Sequence, residues 1–363
     1  MKSWVFALAI SVLPAFAQPQ NLTINVGTPE GQLLQSIGQE TDDARKVALM
    51  EDFLSKFPKH EGAPWVCGLL EQSYLQQKQF DKALEAADKV YSGSPADLDL
   101  SYSAVKAAEG KDDIEQIKKW ALQTDEVARK IITSAKPPSD DTEKQALEHD
   151  KEVGTYAEYA LYAAVLKTRD PKAITDLGET LEHANPKSQY MWLVSDRYLA
   201  ALGGKGCATA AKLTAADSKN AEAFMFEADC NWRAQHADVV ISSANKALEA
   251  LNTRSKVEGG NEAGKVAMAN FYIGVGYAMQ QRWGPADKAL RIALPSVKGN
   301  AQLAGVALFD LGLANYQLGK AIGDRAKVRE GLQFFEQSAT MKGPMQDQAA
   351  RNVTIIKGEL GGK

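Results

Sequence analysis

The chain has 363 residues, 45% of them apolar and 24% charged, with a formal net charge of -4. This is the composition of a folded protein with ample material for a core. The slight acidity leaves no basic footprint of the kind that nucleic acid or anionic lipid demands, so no nucleic-acid partner is expected.

The first residues read as an export signal. Lys2 supplies a short positive region, Trp4 to Leu13 an apolar run, and Ala15-Phe16-Ala17 a small-x-small cleavage site. The run falls short of the ~20 residues a membrane span requires. The mature chain is therefore expected to begin at Gln18, exported to the periplasm or secreted. No cysteine follows the cleavage site, which argues against a lipid anchor, and no later apolar run reaches spanning length.

Asn21 to Val26 reads as a short strand or extended arm, and Thr28-Pro29-Glu30 as a helix start, with Thr as cap and Pro in the first turn. Helices are predicted over Gly31–Gly38 and Asp42–Phe57, the second ended by Pro58. From Pro64 the pattern becomes helix pairs. Trp65–Gln77 pairs with Asp81–Tyr91 across a turn at Phe80, and Ser94-Pro95 closes the unit. Leu98–Ala108 pairs with Asp112–Ser134, and the run from Lys136 to Asp141, with two prolines, breaks the pattern. Later pairs are Val153–Lys167 with Pro171–His183, Ser188–Leu202 with Cys207–Ala216, and Ala221–Ala234 with Asp238–Asn252. A polar, glycine-rich loop is expected over Thr253–Gly264. Val266–Gln281 then pairs with Pro285–Val297, and Gln302–Leu318 with Lys327–Thr340, before a capping helix at Met345–Lys357.

The expected organisation is a signal peptide over 1–17, an N-terminal extension with helices over 18–63, and helix-pair units over 64–136. A linker and helix start follow at 137–152, then a second array over 153–344 and a cap and tail over 345–363. Starting points at Lys187 and Ala221 differ by 34 residues, as do Pro64 and Leu98. That is the tetratricopeptide interval. Over most of Pro64 to Pro344 the chain resembles a tetratricopeptide repeat protein of the exported bacterial type. Leu70, Tyr74, Phe80, Ala83 and Pro95 carry the resemblance, as do Ala221–Asn252, Val266–Val297 and the run Leu311 to Tyr316. Glu71 takes a usually small position, and the units at Leu98 and Val153 match poorly. Phe53 to Pro58 resembles helix ends of exported repeat proteins of the outer-membrane assembly and Tol-associated kind. The resemblance implies an all-α, right-handed superhelical solenoid of stacked helix-turn-helix pairs.

Chemistry is sparse. His60, His149, His183 and His236 are scattered, and no phosphate-cradling loop or Gly-x-Ser-x-Gly elbow occurs, so no catalytic residue, cofactor or metal is expected. Gly203 to Gly206 reads as a turn. Cys67, Cys207 and Cys230 form no CxxC. Export permits a Cys207–Cys230 bond, but three small buried residues in helix interfaces is the preferred reading. In a repeat array the first helix of each pair lines a groove, which places Met191, Tyr198, Met225, Trp232, Arg233, Phe271, Met279, Phe309 and Tyr316 there. Such side chains suit an extended peptide or a partner helix. Domains of this kind that hold acidic chaperone tails use Lys and Asn where this chain is mainly apolar, so that function is not carried over. The expected function is a non-catalytic protein- or peptide-binding scaffold of the cell envelope. The alternatives are a structural subunit or assembly factor of an envelope complex, and an enzyme or glycan-binding protein without a recognisable motif.

Overall fold

The computed structural model describes residues 25–93, 97–254 and 262–361. The expected export signal, residues 21–24 of the expected arm, Ser94-Pro95 and residues 255–261 of the expected loop lie outside the described residues. Within them there are seventeen α-helices and no strand.

The helices are α1 Pro29–Gln39, α2 Asp43–Lys56, α3 Ala63–Gln76, α4 Phe80–Gly93, α5 Leu98–Lys111 and α6 Ile114–Ser134. They continue as α7 Asp141–Lys167, α8 Pro171–Ala184, α9 Gln189–Ala201, α10 Gly206–Ala216, α11 Ala221–Arg233 and α12 Ala237–Thr253. The last five are α13 Glu262–Met279, α14 Trp283–Val297, α15 Ala301–Ile322, α16 Arg325–Thr340 and α17 Gln346–Gly361. Their starts are written in the sequence. Thr28, Asp42, Asp97, Asp113, Asp170, Ser188, Asn220, Asn300 and Asp324 each accept a hydrogen bond from the first turn of the helix they precede. Each cap satisfies an amide that the helix itself cannot.

The ends of the first helices repeat one geometry. Lys78, Asp112, Gln235 and Gln281 all adopt left-handed backbone, and Gly203 and Gly323 do so at the corresponding turns of two further pairs. Beside them, the amides of Gln79, Asp113, His236, Arg282 and Asp324 bond back to the carbonyls of Tyr74, Ala108, Asn231, Tyr277 and Gly319. This six-to-one bond is the Schellman closure of a helix C-terminus. The same closure at turn after turn defines a helix-turn-helix repeat by its backbone alone. Lys78 and Asp112 stand 34 residues apart, the interval expected from sequence.

The chain divides into two compact units, residues 1–160 and 161–363, and the division falls inside α7. In the first, consecutive helices from α1 to α6 pack on one another and α3 also meets α5. In the second, consecutive helices pack from α8 to α17, and the first helices touch in the order α9, α11, α13, α15. This is the stacking of a tetratricopeptide-like all-α solenoid. Close approach depends on size matching: a Cβ on Gly274 would stand 2.5 Å from Leu290 Cγ, and one on Gly312 would stand 2.8 Å from the Phe335 ring. The last helix, α17, covers Phe309, Val328 and Phe335 with Ala349 and Ile356.

Two expectations need correction. The helix expected from Val153, after a linker and helix start at 137–152, begins at Asp141, so α7 runs for 27 residues. Asp140 Oδ1 accepts from Glu143 N at 2.8 Å while Glu143 Oε2 accepts from Ser139 N at 2.7 Å, a variant of the capping box in which the return bond reaches the residue before the cap. The run that stops α6 thus also starts α7. The first half of α7 belongs with the helices before it, because Val153 is buried against Leu98, Val127 and Ala128. The cysteines are the second correction. Cys207 on α10 and Cys230 on α11 form a disulfide with their Cα atoms 5.9 Å apart, and Cys67 alone is a buried free thiol.

Glu71, on α3, is fully buried, and neither of its carboxylate oxygens has a hydrogen-bond partner among the described residues. Burial, aided by nearby Asp97, holds its carboxyl well above the ordinary value of 4.5. The folded chain therefore keeps a proton that the unfolded chain releases. Between the ordinary and the raised value, stability falls as pH rises, by about 1.4 kcal/mol per pH unit. Glu71→Gln should abolish this component. Urea midpoints of wild type and variant at several pH values from about 5 to about 7 test it, and parallel profiles would exclude a buried neutral Glu71.

Candidate partner-binding face

The nine side chains assigned to a groove divide sharply. Met191, Tyr198, Met225, Phe271 and Phe309 are buried between helices, which corrects their assignment to an open surface. Trp232, Met279 and Tyr316 are half-buried and Arg233 is exposed. The physical reason is the number of neighbours. A first helix such as α11 packs against α9, α10, α12 and α13, so most of its circumference is consumed by stacking. Large apolar residues fill those contacts. Tyr198 illustrates it: its ring abuts Gly178, where a Cβ would meet it at 2.2 Å, and its hydroxyl donates to Glu182 Oε2 at 2.6 Å.

Charged and aromatic groups also join these helices to one another. Glu222 on α11 lies between Arg254, at the end of α12, and Lys265 on α13, at 2.5 and 2.6 Å. Arg254 grips it with both terminal nitrogens, and its guanidinium stands 4.6 Å from the centre of the Trp192 ring. One helical repeat along, Asp229 pairs with Arg233 at 2.5 Å and accepts from the Tyr272 hydroxyl at 3.3 Å. Trp232 packs edge-on against Phe271 and Tyr272, with centroids 5.6 and 6.3 Å away. Two of the expected residues, Trp232 and Arg233, therefore belong to a face shared by α11 and α13. Asp196 of α9 joins it, close enough to Glu222, Lys265, Arg254 and Tyr272 for their charges and its own to act on one another. Despite its desolvation, Glu222 is held below the ordinary carboxylate value by its two cations, and Tyr272 is pushed up by burial and Asp229.

A second polar-aromatic surface, in the first unit, escaped the sequence reading. Lys106 of α5 stands over the rings of Tyr102 and Tyr156, 5.2 and 3.6 Å from their centres. The Tyr156 hydroxyl donates to Glu109, and Tyr159 packs on Tyr156 with centroids 5.6 Å apart. Burial pulls the Lys106 ammonium below its ordinary value and pushes Tyr102 up. The signal was present: Tyr156 and Tyr159 are three residues apart, a spacing that puts both on one side of a helix.

The remaining motifs have structural uses. His149 contacts Asp99 at 3.0 Å, Glu148 pairs with Lys151, and Glu182 receives Tyr198. His183 borders an open depression of about 550 Å³ that also has Glu179, Lys205 and Lys212 on its rim. Among the described residues no three His, Cys, Asp or Glu side chains gather to hold a metal ion, and no helix is long and apolar enough to cross a membrane.

No family model matches the sequence, and no curated protein matches it. Among solved structures, the crystal structure of yeast Tom70 is similar over 91% of this chain and 95% of that chain, at 11% identity and a TM-score of 0.21.

Proposed function

We propose that this protein is a non-catalytic scaffold of an exported, oxidising compartment that binds a protein or peptide partner on the α9–α11–α13 face. The observation that carries the reading is exposed Arg233 beside half-buried Trp232 on stacked first helices, both held from beneath, Arg233 by its ion pair with Asp229 and Trp232 by its packing on buried Tyr272. Aromatic and arginine side chains dominate the energetics of protein interfaces, and a repeat array presents them on rigid supports. The Cys207–Cys230 bond supports export, because disulfides persist in oxidising compartments, and the amino-terminal signal points the same way. The periplasm or the cell exterior is the location we assign.

Trp232→Ala is the test. The ring is half-buried, so circular dichroism should first show a folded variant. Affinity capture from the native exported fraction is then expected to lose the partner at least tenfold relative to wild type. Ile292→Ala, on exposed α14 surface, should leave capture unchanged. Equal capture by Trp232→Ala and wild type would move the binding surface elsewhere.

A further inference from the structure

Buried Glu71 sits in the joint between two helix pairs of the first unit. The joint connects the α3–α4 pair to the α5–α6 pair. A Cβ on Gly68, one turn before Glu71, would stand 3.0 Å from the Leu100 side chain of α5, and Leu100 closes on Cys67 and Val90. Tyr91 of α4 meets Trp120 of α6 edge-on, with centroids 5.7 Å apart. Among these side chains Val90, Tyr91, Asp97, Ser101 and Trp120 border a void of about 10 Å³, room for about one water molecule. Glu71 itself has no exposed surface, and neither carboxylate oxygen has a hydrogen-bond partner among the described residues.

The helices packed on α3 are α2, α4 and α5, and their charged groups are engaged elsewhere. Glu51 of α2 accepts from the Tyr74 hydroxyl at 2.5 Å, and it borders a cavity of about 360 Å³ with Lys82, Glu85 and Lys89 of α4. Asp88 of α4 pairs with Lys119, and Asp99 of α5 meets His149. Asp97, at the start of α5 and on the wall of the void, acts on Glu71 in the direction that keeps its proton.

We infer that this joint opens and closes with the proton on Glu71, shut while the side chain is a neutral acid and loosened once the proton leaves. A carboxylate at that position would be charged, unpaired and out of reach of water, which the fold can relieve only by admitting solvent. Parting one helix pair from the next is the least costly way, because stacked pairs are held by nearest-neighbour contacts alone. Below the ordinary value of 4.5, the closed and open forms both keep the proton. Above it the open form releases the proton and the closed form does not. Opening therefore grows by up to about tenfold per pH unit until the raised value of the closed form is passed. Acid shuts the joint. It belongs to the first unit and does not depend on the partner face proposed for the second.

Alkylation of a buried thiol tests this. In a Cys67→Ala background, Ser101→Cys places a thiol on the wall of the void, at a position 1% exposed, while Cys207 and Cys230 remain bonded. The iodoacetamide rate of the whole chain is measured with and without Glu71→Gln at each pH, so that the ionisation of the thiol cancels in the ratio. The rate with Glu71 divided by the rate with Glu71→Gln should rise at least tenfold from about pH 5 to about pH 7. Glu71→Leu, equally unable to ionise, should serve as denominator with the same result. Labelling should also report an opening at least tenfold more populated than the one that exchanges the slowest α6 amides. Val90→Cys, also on the void, gives the same reading should Ser101→Cys disturb the fold. A ratio that does not change with pH would overturn the inference. Labelling no more frequent than α6 amide exchange would overturn it too, because the unit would then melt whole instead of parting at the joint.

Discussion

Truncating Tyr198 to alanine is expected to destabilise the second unit by about 3–5 kcal/mol, the cost of removing a large aromatic ring from a closed interior. The side chain is 1% exposed. It lies where α8 and α9 meet, and Gly178 leaves the space its ring occupies. Alanine would leave a cavity bounded by helix backbone, which relaxes poorly, and would also remove the hydrogen bond to Glu182. Tyr198→Phe separates the two contributions, because it retains the ring and loses only the hydroxyl, at a cost of about 1 kcal/mol. Denaturant unfolding gives the total, and hydrogen exchange of the α8 and α9 amides locates the loss. Should Tyr198→Ala keep full stability while losing partner binding, the ring would be a contact residue after all.

Tyr198 also marks the limit of what residue pattern conveys. The helices were legible, because apolar spacing gives the buried side and Ser, Thr, Asp and Asn caps mark their starts. Pairing into repeats was legible too, through recurring small and large residues such as Gly274 with Leu290. Which side of a first helix stays open was not. Met191, Met225 and Phe271 have the chemistry of a binding groove and equally of a core, and only the packing of neighbouring helices decides between them. The charged face was illegible for a different reason. Arg254 and Lys265 lie 32 and 43 residues beyond Glu222, and nothing local announces that they converge on one carboxylate. The α7 start was readable only as a helix start somewhere in 137–152, although Ser139, Asp140 and Glu143 carry the hydrogen-bonding groups that fix it at Asp141.

Losing the Cys207–Cys230 bond is expected to cost the second unit about 3 kcal/mol, the chain-entropy value for a loop of this size. The sequence separation is 23 residues. The bond ties the first turn of α10 to the last turn of α11, so it spans the connection between one repeat and the next. Without it, the unfolded chain regains freedom, and in the folded state α10, a short helix of 11 residues, is held by packing alone. Its few buried side chains include Ala210 and Leu213. Thermal unfolding with and without reductant should show the wild type falling to the midpoint of the Cys207→Ser, Cys230→Ser variant, which reductant should not move. The buried thiol of Cys67 serves as an internal control, since burial raises it above its ordinary value and keeps it unreactive. Because Cys230 lies beside Asp229 on α11, reduction should also loosen the proposed partner-binding face, and Trp232 fluorescence should report that change. A wild type indifferent to reductant would mean that the two helices hold each other without the bond.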